Sequence, residues 1–465
     1  MIGSISRSSC ILRYSAALSF LLVQPVLTKA PAALASRVDA VMTPFVSDGP
    51  GATVIVVKDG RVLIRKGYGL ANLETRTAMR PEMVFELGSV TKQFTSTAIL
   101  MLAEEGKLSL GDDIRKYVTD FPDKGERITI EHLLTHTSGI KDYTDDPKWP
   151  DLWRQDLSPA QIVDLVKNAP LEFVPGTKWS YDNTGYTLLG MILEKASGVP
   201  YAEFIRAHIF APLGMTHSLY GSLSAIIPNR AAGYSKNEKG DWENAPYLSM
   251  AQPYAAGSLM SNVDDLAKWD AAVSAGKLLS PASWDEAFTG YRLTTGEDTR
   301  YGFGWQLGTY DGHSLVHHSG GIPGYVSQVL RMPADHLYVA VLANSDAPPA
   351  NPEDLAVKIA AEVIGDPVHD PPVIAVPTEV LDTYVGRYQI APGSVRTITR
   401  TGTRLFSQRD AGEKFEIVPI GSREFTFKNS FQRLSFEKDG SGTVVRVISR
   451  TLDGTPEVAE RIKER

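Results

Sequence analysis

The sequence predicts an α/β (α+β) protein, in which a mixed antiparallel sheet flanked by helices, with a helical subdomain, is followed by a small all-β, barrel-like domain. Helical patterns fill the middle of the first part of the chain, and strand-like runs lie at both of its ends. A proline-rich segment is typical of a stiff linker and precedes a series of short alternating runs. We therefore predict a signal peptide at 1–35, a main domain at 36–365, a linker at 366–377 and a β-domain at 378–465.

The composition excludes several classes of protein. The chain has 465 residues, of which 47 are basic and 54 acidic, so its net charge is −7 and it has no basic block that would bind nucleic acid. Cys10 is the only cysteine, which rules out a disulfide framework and a cysteine-based metal site. The sequence contains no nucleotide-binding glycine loop, and we expect no cofactor.

The N-terminus has the three parts of a secretory signal peptide. Arg7 and Arg13 make it basic, an apolar stretch follows over 14–27, and Ala33-Leu34-Ala35 offers a cleavage site of the A-x-A type. The apolar stretch is short and interrupted, so an uncleaved membrane anchor is the weaker alternative. We therefore predict a periplasmic or secreted protein that has no stable membrane insertion after cleavage.

The elements of the main domain follow from its hydrophobic patterns. Two β-rich runs, 52–57 and 61–66, flank Asp59-Gly60, a dipeptide typical of a two-residue hairpin turn. Residues 91–105 have a helical pattern, which Gly106 ends. Further helices are predicted at 130–135, 159–167, 185–196, 201–209 and 263–274, and further strands at 301–307, 326–332 and 337–343.

The β-domain consists of short runs in which apolar and polar residues alternate. Its recognisable runs are 386–390, 394–400, 404–408, 414–419, 424–428, 433–437 and 443–451. Asp439-Gly440 and Asp453-Gly454 indicate turns. About eight strands over about 90 residues fit a small barrel or sandwich.

A serine and a lysine one helical turn apart are the first candidates for catalysis. The pattern Ser-x-x-Lys occurs four times, but only Ser89/Lys92 begins a long helix with an apolar face. In that geometry a partly desolvated amine can accept the hydroxyl proton, and a helix N-terminus favours negative charge. Judged by position alone, Ser89 would instead be interpreted as a helix N-cap.

The second candidate motif is Tyr181-Asp182-Asn183, which is the only Tyr-x-Asn in the chain. A tyrosine beside a lysine can shuttle protons, and an asparagine amide can hydrogen-bond a substrate carbonyl. The alternative interpretation is an ordinary turn in which Asn183 caps the following helix.

The third candidate motif is His318-Ser319-Gly320, followed by Gly321. The glycines let a substrate approach the main chain closely, and an N–H group here that faces Ser89 would complete an oxyanion hole. The alternative interpretation is a glycine-rich hairpin turn with a surface histidine.

Two histidines at positions i and i+4 have the spacing of zinc ligands. However, Glu131 precedes His132 instead of following it, so the metalloprotease pattern is not met, and we predict no metal site. We expect His132 and His136 to be structural hydrogen-bonding groups at a helix end.

Taken together, the three motifs resemble those of the serine β-lactamase-like superfamily, which comprises class C β-lactamases, D,D-peptidases, D-aminopeptidases and esterases of the same fold. The sequence segments that connect the motifs also resemble those of the superfamily, and the resemblance covers about residues 40 to 360. The segments that resemble the superfamily include Phe85-Glu-Leu-Gly-Ser89, His132-Leu-Leu-Thr-His-Thr-Ser-Gly139, Pro212-Leu-Gly-Met215 and Asp264-Asp265-Leu-Ala267. The segment from Leu381 onward resembles the lipocalin-like β-domains that follow some peptidases of this group.

The resemblance implies a role for each motif. Ser89 would be the acylated nucleophile, and Lys92 and Tyr181 would share the work of the base. Asn183 would orient the substrate carbonyl. The remaining implied groups are the oxyanion-hole N–H groups of Ser89 and Gly321 and the substrate-binding residues His318 and Gly320.

His318 departs from the β-lactamase pattern. It stands where β-lactamases have the lysine of a Lys-Thr/Ser-Gly motif, and no such triplet occurs in the chain. A neutral histidine donates a weaker hydrogen bond than a lysine, whereas esterases and D-aminopeptidases of the superfamily commonly resemble this sequence here.

The sequence therefore predicts a serine hydrolase that cleaves carboxylic esters or amides of a small-molecule or peptide substrate through an acyl-enzyme. We expect an esterase or a D-residue-preferring peptidase. One alternative is a β-lactamase or D,D-carboxypeptidase, and another is a binding or sensor protein without turnover. The aromatic residues of the loop 142–157 either line the pocket, which would favour apolar acyl groups, or simply anchor the loop.

Overall fold

The computed structural model describes residues 26–27, 31–45, 48–222, 224–368, 371–391, 394–410, 414–427, 432–450 and 456–462. Most of the predicted signal peptide lies outside these residues. Of its described part, Val26–Leu27 is a short strand and Ala33-Leu34-Ala35 lies in the helix Ala32–Val41. Cleavage after Ala35 stays a prediction. No helix among the described residues is both long and apolar enough to cross a bilayer.

The main domain is built on one mixed sheet that is antiparallel except at one edge. Only Val26–Leu27, at that edge, pairs in parallel, with the strand Arg61–Tyr68. The strand order across the sheet is Val26–Leu27, Arg61–Tyr68, Ala52–Lys58, Leu337–Ala343, Tyr325–Met332, His313–Ile322 and Gln306–Tyr310. Because the first and last parts of the domain supply neighbouring strands, the sheet joins the two ends of this domain.

Helices cover both faces of this sheet. Its central strands, Ala52–Lys58 and Leu337–Ala343, are buried at nearly every position, as expected for strands with helices on both sides. Ala32–Val41 and Pro352–Ile364 pack on one face. The other helices of the domain are Thr91–Glu104, Ile130–Leu134, Trp149–Leu152, Pro159–Asp164, Asn183–Ser197, Tyr201–Ile205, Ala211–Leu213, Tyr254–Gly257, Val263–Ser274 and Pro281–Ala287.

Small sheets and single turns connect these helices. Phe85–Glu86, Leu259–Ser261 and Leu219–Tyr220 form a three-stranded sheet, and two hairpins pair Leu70–Asn72 with Thr77–Ala78 and Tyr234–Lys236 with Trp242–Asn244. The 3-10 turns are Thr43–Phe45, Gly88–Val90, Ile114–Lys116, Tyr143–Asp145 and Pro333–Asp335, and a π-helical turn spans Arg206–Phe210. Val263–Ser274 packs on the central strands Ala52–Lys58 and Leu337–Ala343, whereas Ile130–Leu134 and Pro159–Asp164 pack on Asn183–Ser197 in the predicted helical subdomain.

The C-terminal segment is a closed, eight-stranded antiparallel barrel. Its strands are Gly386–Ala391, Ser394–Thr401, Arg404–Arg409, Lys414–Pro419, Glu424–Phe427, Arg433–Lys438, Val444–Arg450 and Pro456–Arg461. Apolar side chains from successive strands form one buried cluster, to which the preceding helix Thr378–Tyr384 adds Leu381 and Tyr384. The predicted fold class is therefore confirmed for both parts of the chain.

One predicted strand lies elsewhere. Residues 301–307 were expected to be extended, but the strand is Gln306–Tyr310. The main chain turns at Gly302, whose N–H donates to the Trp305 carbonyl, and at Gly304, which has φ of 79°. A β-carbon at Gly304 would lie 2.7 Å from the Lys92 carbonyl, so this turn packs against the helix that carries Lys92.

Candidate active site

Ser89 lies in a tight turn at the start of a long buried helix. The turn is Gly88–Val90 and the helix is Thr91–Glu104. Gly88 has φ of 55°, and a β-carbon on it would lie 2.9 Å from Gly321 N, so the turn needs glycine. Ser89 itself remains partly exposed, while the residues on both sides of it are buried. The hydroxyl is therefore accessible to a substrate.

The Lys92 amine lies next to the Ser89 hydroxyl. Lys92 follows one helical turn after Ser89 and is fully buried, and its Nζ is 3.1 Å from Ser89 Oγ. The same nitrogen donates to Asn183 Oδ1 at 2.8 Å and to the Ala256 carbonyl at 3.0 Å. The structure thus brings together the serine, lysine and asparagine singled out in the sequence, and Ala256 adds a fourth group.

The surroundings of Lys92 favour its neutral form. Burial lowers the pKa of Lys92 to about 7, and the charges of Asp142 and Asp182 oppose this shift. A large fraction of the amine is therefore uncharged at neutral pH and can accept a proton. The ring centroids of Tyr181 and Tyr186 lie 4.7 and 5.2 Å from Nζ, where they stabilise the ammonium when it forms.

Asn183 is the first residue of the helix Asn183–Ser197 and is anchored by Asp142. Its main-chain N and its side-chain Nδ2 donate to Asp142 Oδ2 at 3.1 and 2.9 Å. The other oxygen of Asp142 accepts from Thr144 N at 3.0 Å. Asp142 is a site residue that sequence reasoning missed. The only signal for it was its place at the start of the aromatic loop.

The Tyr181 phenol is buried beside the serine and the lysine. Its oxygen forms no hydrogen bond with the described residues. Burial raises the pKa of Tyr181, and the nearby Ser89 hydroxyl acts in the opposite direction to a smaller extent. The ring packs on His136, with centroids 4.3 Å apart. Tyr181 is thus a neutral phenol near pH 7, held by ring packing, with its oxygen next to the Ser89 hydroxyl.

His318 is buried, and both of its ring nitrogens are engaged. Nδ1 lies 2.6 Å from the Ser319 carbonyl, which can only accept, so Nδ1 carries the proton. Nε2 then accepts from the Tyr301 hydroxyl at 2.8 Å. Burial, and next the charge of Lys92, lower the pKa of His318 to about 3, so the ring is neutral. The alternative of a surface histidine is wrong, since only 1% of its surface is exposed.

Gly320 and Gly321 pack against the turn that carries the serine. A β-carbon on Gly320 would lie 2.0 Å from the Leu87 carbonyl oxygen and 3.0 Å from Ser89 N, so no larger residue fits there. A β-carbon on Gly321, by contrast, would meet nothing within 4 Å. Ser89 and Gly321 line the same cavity, and the close approaches of Gly88 to Gly321 N and of Gly320 to Ser89 N bring the two main-chain segments together.

A cavity of about 280 Å³ opens at Ser89. Among the described residues that line it, none carries a charged side chain. Tyr143, Trp149 and Trp153 form one wall, with the Trp149 ring centroid 5.3 Å from that of Tyr143 and 5.4 Å from that of Trp153. The Trp149 indole N–H donates to Gln252 Oε1 at 2.9 Å. The aromatic loop therefore lines the pocket and is also anchored to the protein.

The two histidines with zinc-like spacing contact the main chain. His132 Nδ1 accepts from Thr129 N at 3.3 Å, as part of a capping box on the helix Ile130–Leu134. His136 Nδ1 accepts from Asp182 N at 3.0 Å. Both histidines are therefore structural hydrogen-bonding groups, as predicted, and His136 in addition supports the Tyr181 ring. No cluster of potential metal ligands occurs in the described part of the chain.

A hydroxyl, a buried amine and a phenol that meet beside a helix-covered mixed sheet define a serine hydrolase of the β-lactamase fold. The chain belongs to the Beta-lactamase family, whose model matches residues 38–363. The resemblance inferred from the three motifs is therefore confirmed.

Several known proteins are similar to most of this chain. A penicillin-binding protein of Bacillus subtilis is 30% identical over 438 residues, which cover 88% of this chain and 95% of that protein. A D-aminopeptidase of Gluconobacter oxydans is 27% identical over 89% of this chain and 74% of its own length. The structure of an octameric penicillin-binding protein homologue from Pyrococcus abyssi matches with a TM-score of 0.66 at 27% identity, over 92% of this chain and 99% of that one.

Proposed function

We propose that the protein hydrolyses carboxylic amides and esters through an acyl-enzyme on Ser89. The observation that carries this proposal is the buried Lys92 amine, which lies 3.1 Å from Ser89 Oγ and whose pKa burial lowers to about 7. Lys92 and Tyr181 are the proposed proton-transfer groups. Asn183, His318, Gly320 and Gly321 are the proposed substrate-binding residues. Asn183 and Gly321 line the cavity and would touch the substrate, whereas His318 and Gly320 are buried and would act by positioning Gly321.

In the first step, the neutral Lys92 amine takes the proton of the Ser89 hydroxyl as Oγ attacks the substrate carbonyl carbon. The carbonyl π electrons move onto its oxygen, which becomes an oxyanion. The main-chain N–H groups of Ser89 and Gly321, whose residues line the same cavity, are the proposed donors to that oxyanion.

In the second step, the tetrahedral intermediate collapses, and the bond to the leaving group breaks. Tyr181, which stays a protonated phenol because burial raises its pKa, donates its proton to the leaving nitrogen or oxygen. The Lys92 ammonium then returns a proton to the phenolate. In deacylation, water gives one proton to Lys92 and attacks the acyl carbon, and Ser89 leaves with that proton as the carboxylic acid is released.

The site favours substrates that lack a carboxylate next to the scissile bond. The described residues that line the cavity are uncharged, and His318 is neutral with both nitrogens engaged, so it offers no cation to such a group. We therefore place an esterase or a D-residue-preferring amidase or peptidase ahead of a β-lactamase or D,D-carboxypeptidase. The relative named D-aminopeptidase supports the first choice, and the relatives named penicillin-binding proteins are the reason to test the second.

One experiment separates these functions. The purified protein is treated with a fluorophosphonate probe, the adduct is mapped by mass spectrometry, and turnover is measured on p-nitrophenyl butyrate, D-alanine p-nitroanilide and nitrocefin. We expect the adduct on Ser89, and turnover of the ester or the anilide well above that of nitrocefin. Fast nitrocefin turnover would favour the β-lactamase. Absence of both an adduct and turnover would favour a binding or sensor protein. We do not expect this outcome, because a protein that only binds has no need for all three of the serine, the lysine and the tyrosine.

The remaining assignments are proposals of the same kind. We propose export to the periplasm or the medium after removal of residues 1–35, and domain limits at 36–365 and 378–465 with a linker at 366–377. The oligomeric state can be measured by light scattering, since one similar structure is described as octameric.

A further inference from the structure

The three groups around the Lys92 amine determine where its lone pair points. A neutral amine has two N–H bonds and one lone pair. The Ala256 carbonyl oxygen and Asn183 Oδ1 can only accept hydrogen bonds, and they lie 3.0 and 2.8 Å from Nζ. They therefore use both N–H bonds, and the lone pair is left for the third neighbour, the Ser89 hydroxyl at 3.1 Å.

This arrangement depends on the orientation of the Asn183 amide. An asparagine side chain carries an oxygen on one side and an NH₂ group on the other, and a half-turn exchanges the two. With the NH₂ group towards Lys92, the amide would donate to the amine. The lone pair would then point at Asn183, and the serine proton would have no acceptor.

Asp142 fixes that orientation. Its Oδ2 lies 2.9 Å from Asn183 Nδ2 and 3.1 Å from Asn183 N. Because Oδ2 already accepts from the main-chain N–H of Asn183, it acts as an acceptor, and only the NH₂ side of the amide can face it. The carboxylate is itself held, because Oδ1 accepts from Thr144 N and the side chain is buried with 7% exposed. Turning the amide would place two acceptors against each other in a buried site.

We propose that Asp142 is a positioning residue, which holds the amide of Asn183 with its oxygen towards Lys92 and so directs the lone pair of that amine at the Ser89 hydroxyl. This inference rests on the proposed function, because it assigns Lys92 the role of base. Asp142 is not among the residues that line the cavity. It acts through Asn183, and it also opposes the loss of the proton from Lys92 by its charge.

The other polar groups around Lys92 do not replace Asp142. Asp182 opposes the same shift only when it is ionised, its Oδ2 accepts from Ser138 Oγ, and it makes no side-chain bond to the asparagine. Burial raises the pKa of Asp182 well above its usual value, which favours its uncharged form. The remaining neighbours are the rings of Tyr181 and Tyr186 and the histidines His136 and His318, whose pKa values burial lowers.

The test compares Asp142→Leu with Asp142→Asn. The leucine removes the acceptor, so the amide of Asn183 is free to turn, and we expect kcat to fall about 100-fold while KM changes less than about threefold. The asparagine keeps an oxygen acceptor without the charge. Its kcat should stay within about tenfold of wild type, and the acid limb of its kcat/KM profile should move to lower pH. The matched control is Asp145→Leu, an exposed position in the same turn.

A double variant tests whether Asp142 acts through Asn183. The double variant Asp142→Leu/Asn183→Leu should be no slower than Asn183→Leu alone, within about threefold. The proposal would be overturned if the activity losses of the two single variants multiplied in the double variant. It would also be overturned if Asp142→Leu were as active as Asp145→Leu. If Asp142→Leu does not fold, a folded Asp142→Asn whose kcat falls as far as that of Asn183→Leu, although it keeps the oxygen acceptor, would overturn the proposal instead. Turnover by Ser89→Ala would contradict the proposed function itself, which is a separate outcome.

Discussion

Ser89 and Lys92 are paired through a hydroxyl and an amine, 3.1 Å apart, and not through opposite charges. A hydroxyl contributes no negative charge that would keep the amine protonated, so burial can lower the pKa of Lys92 to about 7. Ser89 lines the cavity, where a substrate can reach its hydroxyl. The pair therefore combines a base that is buried away from water with a nucleophile that the substrate can reach.

Replacement of Ser89 by alanine is expected to abolish turnover and covalent labelling. The hydroxyl supplies the bond to the acyl group, and no other side chain can take its place at that atom. Because Ser89 is partly exposed, we expect the melting temperature to stay close to that of wild type. Mass spectrometry of the fluorophosphonate adduct, with thermal unfolding as the control, checks both. A serine adduct at the same yield in Ser89→Ala would identify a different nucleophile.

The rate should rise with pH through about 7. Lys92 is active as the neutral amine, and burial lowers its pKa to about 7, so kcat/KM should fall about tenfold per pH unit below that value and level off above it. The measurement is the pH profile of kcat/KM on an uncharged ester. The kcat/KM of Lys92→Ala should be several orders of magnitude lower than that of wild type, and its pH profile should lack the fall below pH 7. A limb near pH 4 to 5 in the wild type would indicate that a carboxylate is the base.

Tyr181→Phe separates catalysis from stability. The phenol oxygen has no hydrogen-bond partner among the described residues, so its removal should leave the melting temperature unchanged or slightly higher. Turnover of an anilide, which needs a proton on its leaving nitrogen, should fall more than turnover of a p-nitrophenyl ester, which does not. Kinetics on the two substrates and a thermal melt check this. Equal losses on both would show that Tyr181 acts otherwise than as the proton donor.

Gly320→Ala and Gly321→Ala form a matched pair on the strand beside the serine. A β-carbon on Gly320 would lie 2.0 Å from the Leu87 carbonyl oxygen and 3.0 Å from Ser89 N, whereas one on Gly321 meets nothing within 4 Å. We expect Gly320→Ala to cost at least about 2 kcal/mol of unfolding free energy and nearly all activity. Gly321→Ala should fold normally. Urea unfolding and turnover measure both, and a stable, active Gly320→Ala would refute the close packing.

Trp149→Ala and Trp153→Ala test the aromatic wall of the cavity. Removal of either ring enlarges an apolar pocket, so the preferred acyl chain in a series of p-nitrophenyl esters should become longer. Gln252→Met should act in the same direction more weakly, because it removes the acceptor of the Trp149 indole N–H without removing the ring. An unchanged chain-length preference in all three variants would mean that the acyl group binds elsewhere.

The sequence alone was sufficient for features with a local physical cause. Asp59-Gly60 fixed the first hairpin, and the helices 91–105 and 263–274 followed from their apolar periodicity and ends. Period-two alternation also predicted the short strands of the β-domain, but it left a barrel or a sandwich open, and the last strand, Pro456–Arg461, was not among the runs identified. The strand expected at 301–307 was misplaced because Gly302 and Gly304 turn to pack against a helix distant in the chain.

The sequence by itself determined which side chains are chemically able to act: a serine and a lysine one helical turn apart, a tyrosine near an asparagine, and a histidine followed by glycines. Only the tertiary structure decided their protonation states and partners. The neutral state of His318 depends on burial and on the charge of Lys92, and the orientation of Asn183 depends on Asp142, 41 residues earlier in the chain. Solvation and long-range contacts set these properties, and neither is encoded in residue spacing.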